Sequence, residues 1–248
     1  MAQTVERAIE IIEFTSAAPR SLTEVAEHLG VHRSTAFRLL RTLTDGGLTR
    51  QREDGRYGVG YRLAGLAELA YKQFDLRNLA HDHLVTLSEA SGHTVHLAAI
   101  EGDGIVYVDK IDQIGGFGHY SQIGKPVRLH TAAVGKAILS QQSEDVISAM
   151  ILRCDFERFT ESTISTPEAL RSELQVARAR GWAIDDGEME VYLNCIAAPI
   201  RQSSGVAVAA VSVTALKAKA DLARLESEVL PQLLLTTAAI SKELGWLS

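Results

Sequence analysis

Apolar residues recur along this chain with two different periods, and the change from one to the other divides it. From Val5 a helical stripe runs through Ala8, Ile9 and Ile12 and ends before Pro19, because the residue preceding a proline is pushed out of helical dihedrals. Ser21-Leu22-Thr23-Glu24 has the form of a capping box, in which hydroxyl and carboxylate satisfy reciprocal backbone N–H groups at a helix start. Leu22, Val25, Ala26 and Leu29 then share one face up to Gly30. After Val31 and His32 a third helix is predicted, with Ala36, Leu39, Leu40 and Leu43 inward and Asp45-Gly46-Gly47 as its stop. Two short helices across so tight a turn make a helix-turn-helix at about 22–41. Segments 48–52 and 56–61 flank Asp54-Gly55, a dipeptide suited to a tight hairpin turn, and Tyr57, Val59 and Tyr61 alternate to one face, which predicts a wing.

A helix with the stripe Leu63, Leu66, Ala67, Ala70 and Phe74 follows, then a second helical stretch through Leu84 and Leu87 to Ser91-Gly92. From Thr94 the period shortens to two. Strands are predicted at 94–101 and 105–112, joined by Gly102-Asp103-Gly104, and again at 183–185, 192–201 and 206–216. Helices fall at 135–139, 145–151 and 168–180, the last entered through Thr166-Pro167 and closed by Gly181, with a final helix at 221–244 kinked by Pro231. Strands and helices mixed without βαβ alternation favour an α+β sandwich over a parallel sheet. The domain plan is a winged helix-turn-helix at 1–62, a linker helix at 63–79 and a second domain at 80–248.

Composition narrows the class without naming a function. With 248 residues, 46% hydrophobic and 23% charged, the chain is neither disordered, collagen-like nor a disulfide scaffold. Only Cys154 and Cys195 are present and no charged-then-apolar leader opens the chain, so the reducing cytoplasm is the expected compartment; no stretch nears the ~20 apolar residues of a membrane helix. A net charge of −6 would disfavour nucleic acid, but residues 31–60 hold six arginines against three acids. On the third helix Ser34, Arg38 and Arg41 stand at i, i+4 and i+7 with Thr35 beside them, opposite the leucines. That face suits a major groove, where arginine pairs with guanine; Arg33 reaches the backbone, and Arg50, Arg52 and Arg56 on the wing reach an adjacent groove or phosphate strand. The alternatives are a solvated face on a small helical bundle, or a winged-helix module for protein contacts.

Other residues raise other chemistries. Cys195, His130 and Asp185 have the composition of a nucleophile, base and orienting acid, so a cysteine hydrolase is the enzymatic alternative, although Leu193 and Ala197 suit an inert buried thiol. His81 with His83, and His93 with His96, lack a third ligand at a recognised interval, so no metal and no cofactor are expected. Ser212 and Thr214 lie two apart in an otherwise apolar strand, hence on one face, as do Leu193 and Cys195 in its neighbour. A buried hydroxyl without a partner costs about 1 to 3 kcal/mol, so nearby backbone, water or a polar ligand must meet the two hydroxyls. Small residues from Thr131 to Gly135 lead into a helix near Val134 whose first N–H groups suit an anion. The stretch 115–129, with four glycines and Phe117, Ile123 and Val127, reads as a flexible lid.

Taken together, Leu22-Thr23-Glu24-Val25-Ala26, Ser34-Thr35-Ala36-Phe37-Arg38-Leu39-Leu40, His130-Thr131-Ala132-Ala133-Val134-Gly135-Lys136-Ala137 and Cys195-Ile196-Ala197-Ala198-Pro199-Ile200 resemble the isocitrate-lyase-regulator (IclR) family of bacterial transcription factors across nearly the whole chain. The resemblance implies a GAF-like effector domain, a homodimer formed through the DNA-binding half and often a tetramer through the effector domains. It further implies double-stranded operator DNA and a small, frequently carboxylate-bearing effector as partners, and repression as the mode of control. Ala133, Val134, Asp185, Leu193, Cys195, Ser212 and Thr214 fall where relatives line the effector site. Asp185 would repel a carboxylate and is therefore expected to accept a ligand hydroxyl. At His32 relatives often carry a small helix-capping residue instead.

Overall fold

In the computed structural model, which describes residues 3–71, 75–113 and 121–246, the capping box forms as the sequence predicts. Glu24 Oε2 accepts the Ser21 N–H at 2.8 Å and Ser21 Oγ accepts the Glu24 N–H at 3.3 Å, starting α2 (Leu22–His28). With α1 (Gln3–Ala17) and α3 (Arg33–Asp45) it encloses a core in which Ile11, Val25, Ala36 and Leu40 have no solvent exposure. These elements belong to the first of two units, Met1–Asp75; the second is Leu76–Ser248.

The wing is real but shorter than expected, β1 (Thr49–Gln51) pairing antiparallel with β2 (Tyr57–Val59). Arg52 N–H bonds to Arg56 O at 2.7 Å and Gly55 N–H to Arg52 O at 3.0 Å, and Gly55 takes φ +78°, so the three residues Glu53, Asp54 and Gly55 rather than Asp54-Gly55 alone make the loop. Tyr57 and Val59 alternate along β2 as expected but differ in burial, Tyr57 being buried and Val59 exposed, and Tyr61 leaves the pattern by opening the next helix, α4 (Tyr61–Tyr71). The strand stops at Gly60, where any Cβ would collide with the Gly47 carbonyl and only glycine allows the approach. On α4 the predicted stripe is only partly packed, Leu63 being half-buried and Leu66 exposed. Phe74 and the side chains of Ala67 and Ala70 lie outside the described residues.

In the second unit a five-stranded antiparallel sheet has the order β4-β3-β7-β6-β5. Its strands are β3 (Thr94–Glu101), β4 (Gly104–Ile111), β5 (Ala183–Asp186), β6 (Leu193–Arg201) and β7 (Ala207–Leu216). Helices α6 (Ala133–Leu139), α7 (Glu144–Ile151) and α8 (Pro167–Arg180) pack on one face with Ala98, Cys195, Ala197 and Ala210. On the other, α5 (Asp75–Ser91) and the C-terminal helices meet Val95, Leu97, Ile196, Val211 and Val213. Both faces being covered explains why β6 and β7 lack polar alternation. The architecture is the α+β sandwich the strand pattern predicts.

Two expectations change. The last helix is not one continuous α-helix up to Pro231: α9 (Leu222–Arg224) leads into a π-helical turn, Leu225–Val229, and then α10 (Leu230–Glu243), with the Leu230 N–H reaching Leu225 O. Proline lacks an N–H and crowds the carbonyl four residues back, and one wider turn relieves that crowding. Of the predicted lid, 115–120 lie outside the described residues, but the following segment is pinned along β4. Gly124 N–H donates to Tyr107 O, Tyr107 N–H to Lys125 O and Val127 N–H to Ile105 O, at 2.8, 3.0 and 2.8 Å. Among the described residues no helix is long and apolar enough to cross a membrane.

Candidate functional site

Helix α3 is started by an unusual cap. His32 Nδ1 accepts the Ser34 N–H at 3.3 Å and lies 2.8 Å from Ser34 Oγ, so the imidazole does the work of the smaller capping residue. Arg33, Ser34, Arg38 and Arg41 are exposed and Thr35 is half-buried, opposite the buried Ala36, Leu40 and Leu43. Arg41 pairs loosely with Asp45 at 3.9 Å. On the wing the Arg50 guanidinium lies 5.1 Å from the Tyr61 ring centre, whereas Arg52 is exposed. Arg56 is committed elsewhere, its Nη1 lying 3.1 Å from Pro19 O and 3.3 Å from Glu24 Oε2. Hydrogen bonds from Ser21, with Arg56 and Arg20 adding to them, hold the Glu24 carboxyl below its ordinary range. Among the described residues Arg33, Arg38 and Arg52 make no ion pair, so the exposed cationic face of α3 is unneutralised.

The second unit holds a cavity of about 700 Å³ bounded by the sheet, the start of α6 and the segment after Ser121. Six of the seven residues expected at an effector site line it: Ala133, Val134, Asp185, Cys195, Ser212 and Thr214. Leu193 is buried but does not line it. His96, Tyr107 and Thr131, none of them among those seven, do. A chain of polar contacts runs along the wall. His96 Nε2 is 3.0 Å from Ser121 Oγ and its Nδ1 3.4 Å from Thr214 Oγ1; Thr214 Oγ1 is 3.2 Å from Cys195 Sγ, which is 3.7 Å from Asp185 Oδ2. Asp185 Oδ1 accepts the Glu188 N–H at 2.7 Å, and both Glu188 carboxylate oxygens lie 2.6 Å from Lys136 Nζ, in a pair almost wholly removed from water. In contrast, the hydroxyls of Tyr107, Thr131 and Ser212, all on buried residues lining the cavity, have no hydrogen-bond partner among the described residues.

Burial sets the protonation of this wall. It pushes His96 down to about 3, with Lys110 acting in the same sense, so the ring is neutral. It raises Tyr107 and Asp185, the latter against the pull of Lys136, and Glu188 goes up to about 7. Cys195 is raised well above its ordinary value by burial and by Asp185, leaving a protonated thiol that is a poor nucleophile. Nor does His130 meet it: its Nδ1 lies 3.3 Å from Cys154 Sγ and its Nε2 2.9 Å from Glu157 O. The histidine pairs diverge likewise, His81 to Asp109 at 2.6 Å and His83 to Glu243 at 2.8 Å, while His93 and His96 serve different surroundings. Near the rim, Arg128 is held by Glu157 at 2.9 Å and Arg153 by Asp103 at 2.8 Å.

Two family models match the chain, the IclR helix-turn-helix domain over residues 4–53 and the bacterial transcriptional regulator IclR C-terminal domain over 69–242. The chain is 31% identical to the HTH-type transcriptional regulator XynR of Escherichia coli K12, with 98% of each chain covered. Among solved structures it is similar to the IclR of Thermotoga maritima, at TM-score 0.82 and 31% identity over 99% of this chain and 100% of that one. An IclR homologue from Microbacterium hydrocarbonoxydans, complexed with 4-hydroxybenzoate, shares the fold at TM-score 0.80 and 22% identity over 97% and 98%. With both domains matched in order and relatives aligned from end to end, the chain belongs to the IclR family of bacterial transcriptional regulators.

Proposed function

We propose that this regulator is a cytoplasmic repressor that binds operator DNA as a homodimer, pairing further into a tetramer, and is controlled by a small hydroxylated organic acid. Duplex reading is assigned to residues 1–62, transmission to 63–79 and sensing to 80–248. On α3, Ser34, Thr35, Arg38 and Arg41 meet the major groove and Arg33 the DNA backbone, and Arg50 and Arg52 meet phosphates; the contacts of Arg56 with Glu24 and Pro19 favour a bracing part for it. Dimerisation is supported by apolar side chains that a monomer leaves in water: Val5 and Ile9 on α1 and Leu66 and Leu69 on α4, each about half exposed. A dimer seated on its operator occludes the promoter, so repression is the default.

The acid is assigned to the cavity lined by Ala133, Val134, Asp185, Cys195, Ser212 and Thr214, with Leu193 behind it. Three hydroxyls that have no partner in the protein and belong to residues lining the cavity, those of Tyr107, Thr131 and Ser212, are the observation that carries this assignment, because they offer a polar ligand hydrogen bonds that no side chain competes for. Asp185 accepts a ligand hydroxyl, while Arg128 and Arg153 near the rim favour an anion. The ligand of the Microbacterium relative carries both groups. Since Cys195 is a protonated, enclosed thiol whose hydrogen-bond partners are Thr214 and Asp185 rather than a histidine, the cavity is read as a binding site without turnover. The acid shifts DNA binding only by its difference in affinity for two states of the dimer, about 1 to 3 kcal/mol of coupling. The test is fluorescence anisotropy on DNA from the protein's own promoter, with acids chosen by the rise in melting temperature they cause. Specific binding altered by such an acid is expected; failure to retain that DNA at modest ionic strength refutes the proposal.

A further inference from the structure

No histidine and cysteine stand at a recognised metal-binding interval in the sequence, yet the fold brings such a set together. His130 precedes α6 and Cys154 and Asp155 follow α7, and one ligand atom of each lies within 4.8 Å of the others. All three residues line the 700 Å³ cavity. The histidine tautomer is dictated by its surroundings. Nε2 lies 2.9 Å from the Glu157 carbonyl oxygen, which only accepts, so Nε2 carries the proton and Nδ1 turns a bare lone pair to Cys154 Sγ at 3.3 Å. A backbone carbonyl behind the distal nitrogen is the arrangement that orients metal-bound histidines.

Tetrahedral zinc, with bonds of about 2.3 Å to sulfur and about 2.0 Å to nitrogen, spaces those two ligands about 3.5 Å apart, so the observed edge is close to the required length. The ring sits between Phe156 and Phe159, with centroids 5.5 and 6.1 Å away, and has little freedom to leave. Asp155 is exposed, and although Arg128 Nη1 is 3.5 Å from its Oδ2, that guanidinium lies nearer Glu157, at 2.9 Å. A thiol-to-imidazole hydrogen bond alone would account for Cys154 and His130. The Asp155 carboxylate, whose Oδ1 accepts the Glu157 N–H at 3.3 Å, stands at the same point on the cavity wall and adds an oxygen donor to that pair.

We propose that His130, Cys154 and Asp155 bind one zinc-class divalent cation, with the fourth coordination position opening onto the cavity. Nitrogen, sulfur and oxygen donors together suit zinc or cobalt and not magnesium or calcium, which take oxygen alone. On binding, the metal–sulfur bond replaces the S–H bond and the proton leaves to solvent, with no change of oxidation state. The site stands whether or not the cavity holds an acid, because it is tested with the metal alone. The full-length chain, stripped with a chelator, is titrated with Co²⁺ and then Zn²⁺. The expected result is one cobalt per chain with a thiolate-to-cobalt charge-transfer band that equimolar zinc abolishes. Cys154→Ser removes the band, Asp155→Asn, at an exposed position, weakens cobalt binding tenfold or more, and Cys195→Ser leaves both unchanged. Thermal melting of each metal-free variant confirms that it folds. Absence of the band in the wild type, its survival in Cys154→Ser, or its loss in Cys195→Ser overturns the proposal.

Discussion

Lys136 has no solvent exposure, and its ammonium sits 2.6 Å from both oxygens of Glu188, whose own side chain is 8% exposed. Lys136→Met keeps an unbranched stem of similar length and removes the charge. Glu188, already raised to about 7 by burial, must then stay charged without its partner or take up a proton at still higher pH, and breaking a buried pair in this way costs about 3 to 5 kcal/mol. Removing both charges is different. In Lys136→Met/Glu188→Leu no group is left to desolvate, so the double variant is expected within about 1 kcal/mol of the wild type, far from the sum of two single losses. Both tryptophans, Trp182 and Trp246, lie in the unit that holds the pair, so fluorescence-monitored urea unfolding follows that unit by itself. With a slope of about 2 kcal/mol per M urea, Lys136→Met moves the midpoint down by roughly 2 M and the double variant by less than about 0.5 M. A double variant as unstable as Lys136→Met would show that the site needs the ion pair itself, and a Lys136→Met midpoint within about 0.5 M of the wild type would show that water reaches Glu188.

Other residues make separate predictions. His96 is held at about 3 in the folded state against 6.5 for the ordinary side chain, so unfolding takes up a proton below pH 6.5. Its contribution to stability is therefore complete above pH 6.5 and lost by up to about 1.4 kcal/mol per pH unit as pH falls toward 3; the deficit of His96→Gln relative to wild type should narrow on acidification, and a constant deficit from pH 7 to 4 refutes this. Arg38→Ala should weaken specific operator binding by about 1 to 3 kcal/mol and leave acid-induced thermal shifts unchanged, whereas Arg56→Ala should leave sequence preference alone. Equal losses of specificity in the two would reverse the roles given to α3 and the wing. Ser212→Ala should lower acid affinity by about 1 to 3 kcal/mol with no loss of folding stability, because its hydroxyl has no partner inside the protein; a destabilised variant would reveal one.

What was legible in the sequence had local causes. The capping box, the Gly181 stop and the strands around Ser212 each depend on residues within a few positions of one another, and all appear where the pattern put them. The misreadings needed information from further away. Tyr61 fits a strand by alternation, but the close approach of Gly60 to Gly47 ends the wing first. Pro231 announces a disturbance without its form, and only the fold shows that a π turn just before it takes up the steric conflict. Gly124 within a glycine-rich stretch suggests mobility, yet that residue bonds to the edge of β4.

The cavity divides along the same line. Period-two geometry brought Ser212 with Thr214, and Leu193 with Cys195, to common faces, but the strand order decides what those faces meet. His96 is the register partner of Ser212 across β3 and β7, and Cys195 is that of Thr214 across β6 and β7, so the wall is built by pairings between residues 19 to more than 100 positions apart. Leu193 shares the parity of Cys195 but pairs with Leu216 where β6 begins, beyond the reach of the cavity. Lys136 is conspicuous in the sequence only as a charge on an otherwise apolar helix, and its partner lies 52 residues on. A polar side chain in an apolar run thus signals a need that the sequence shows and only the fold meets. Where the fold meets it, as for Lys136 with Glu188, the residue holds the wall together; where it does not, as for Tyr107, Thr131 and Ser212, the hydroxyl is left on the cavity wall, open to a ligand or water.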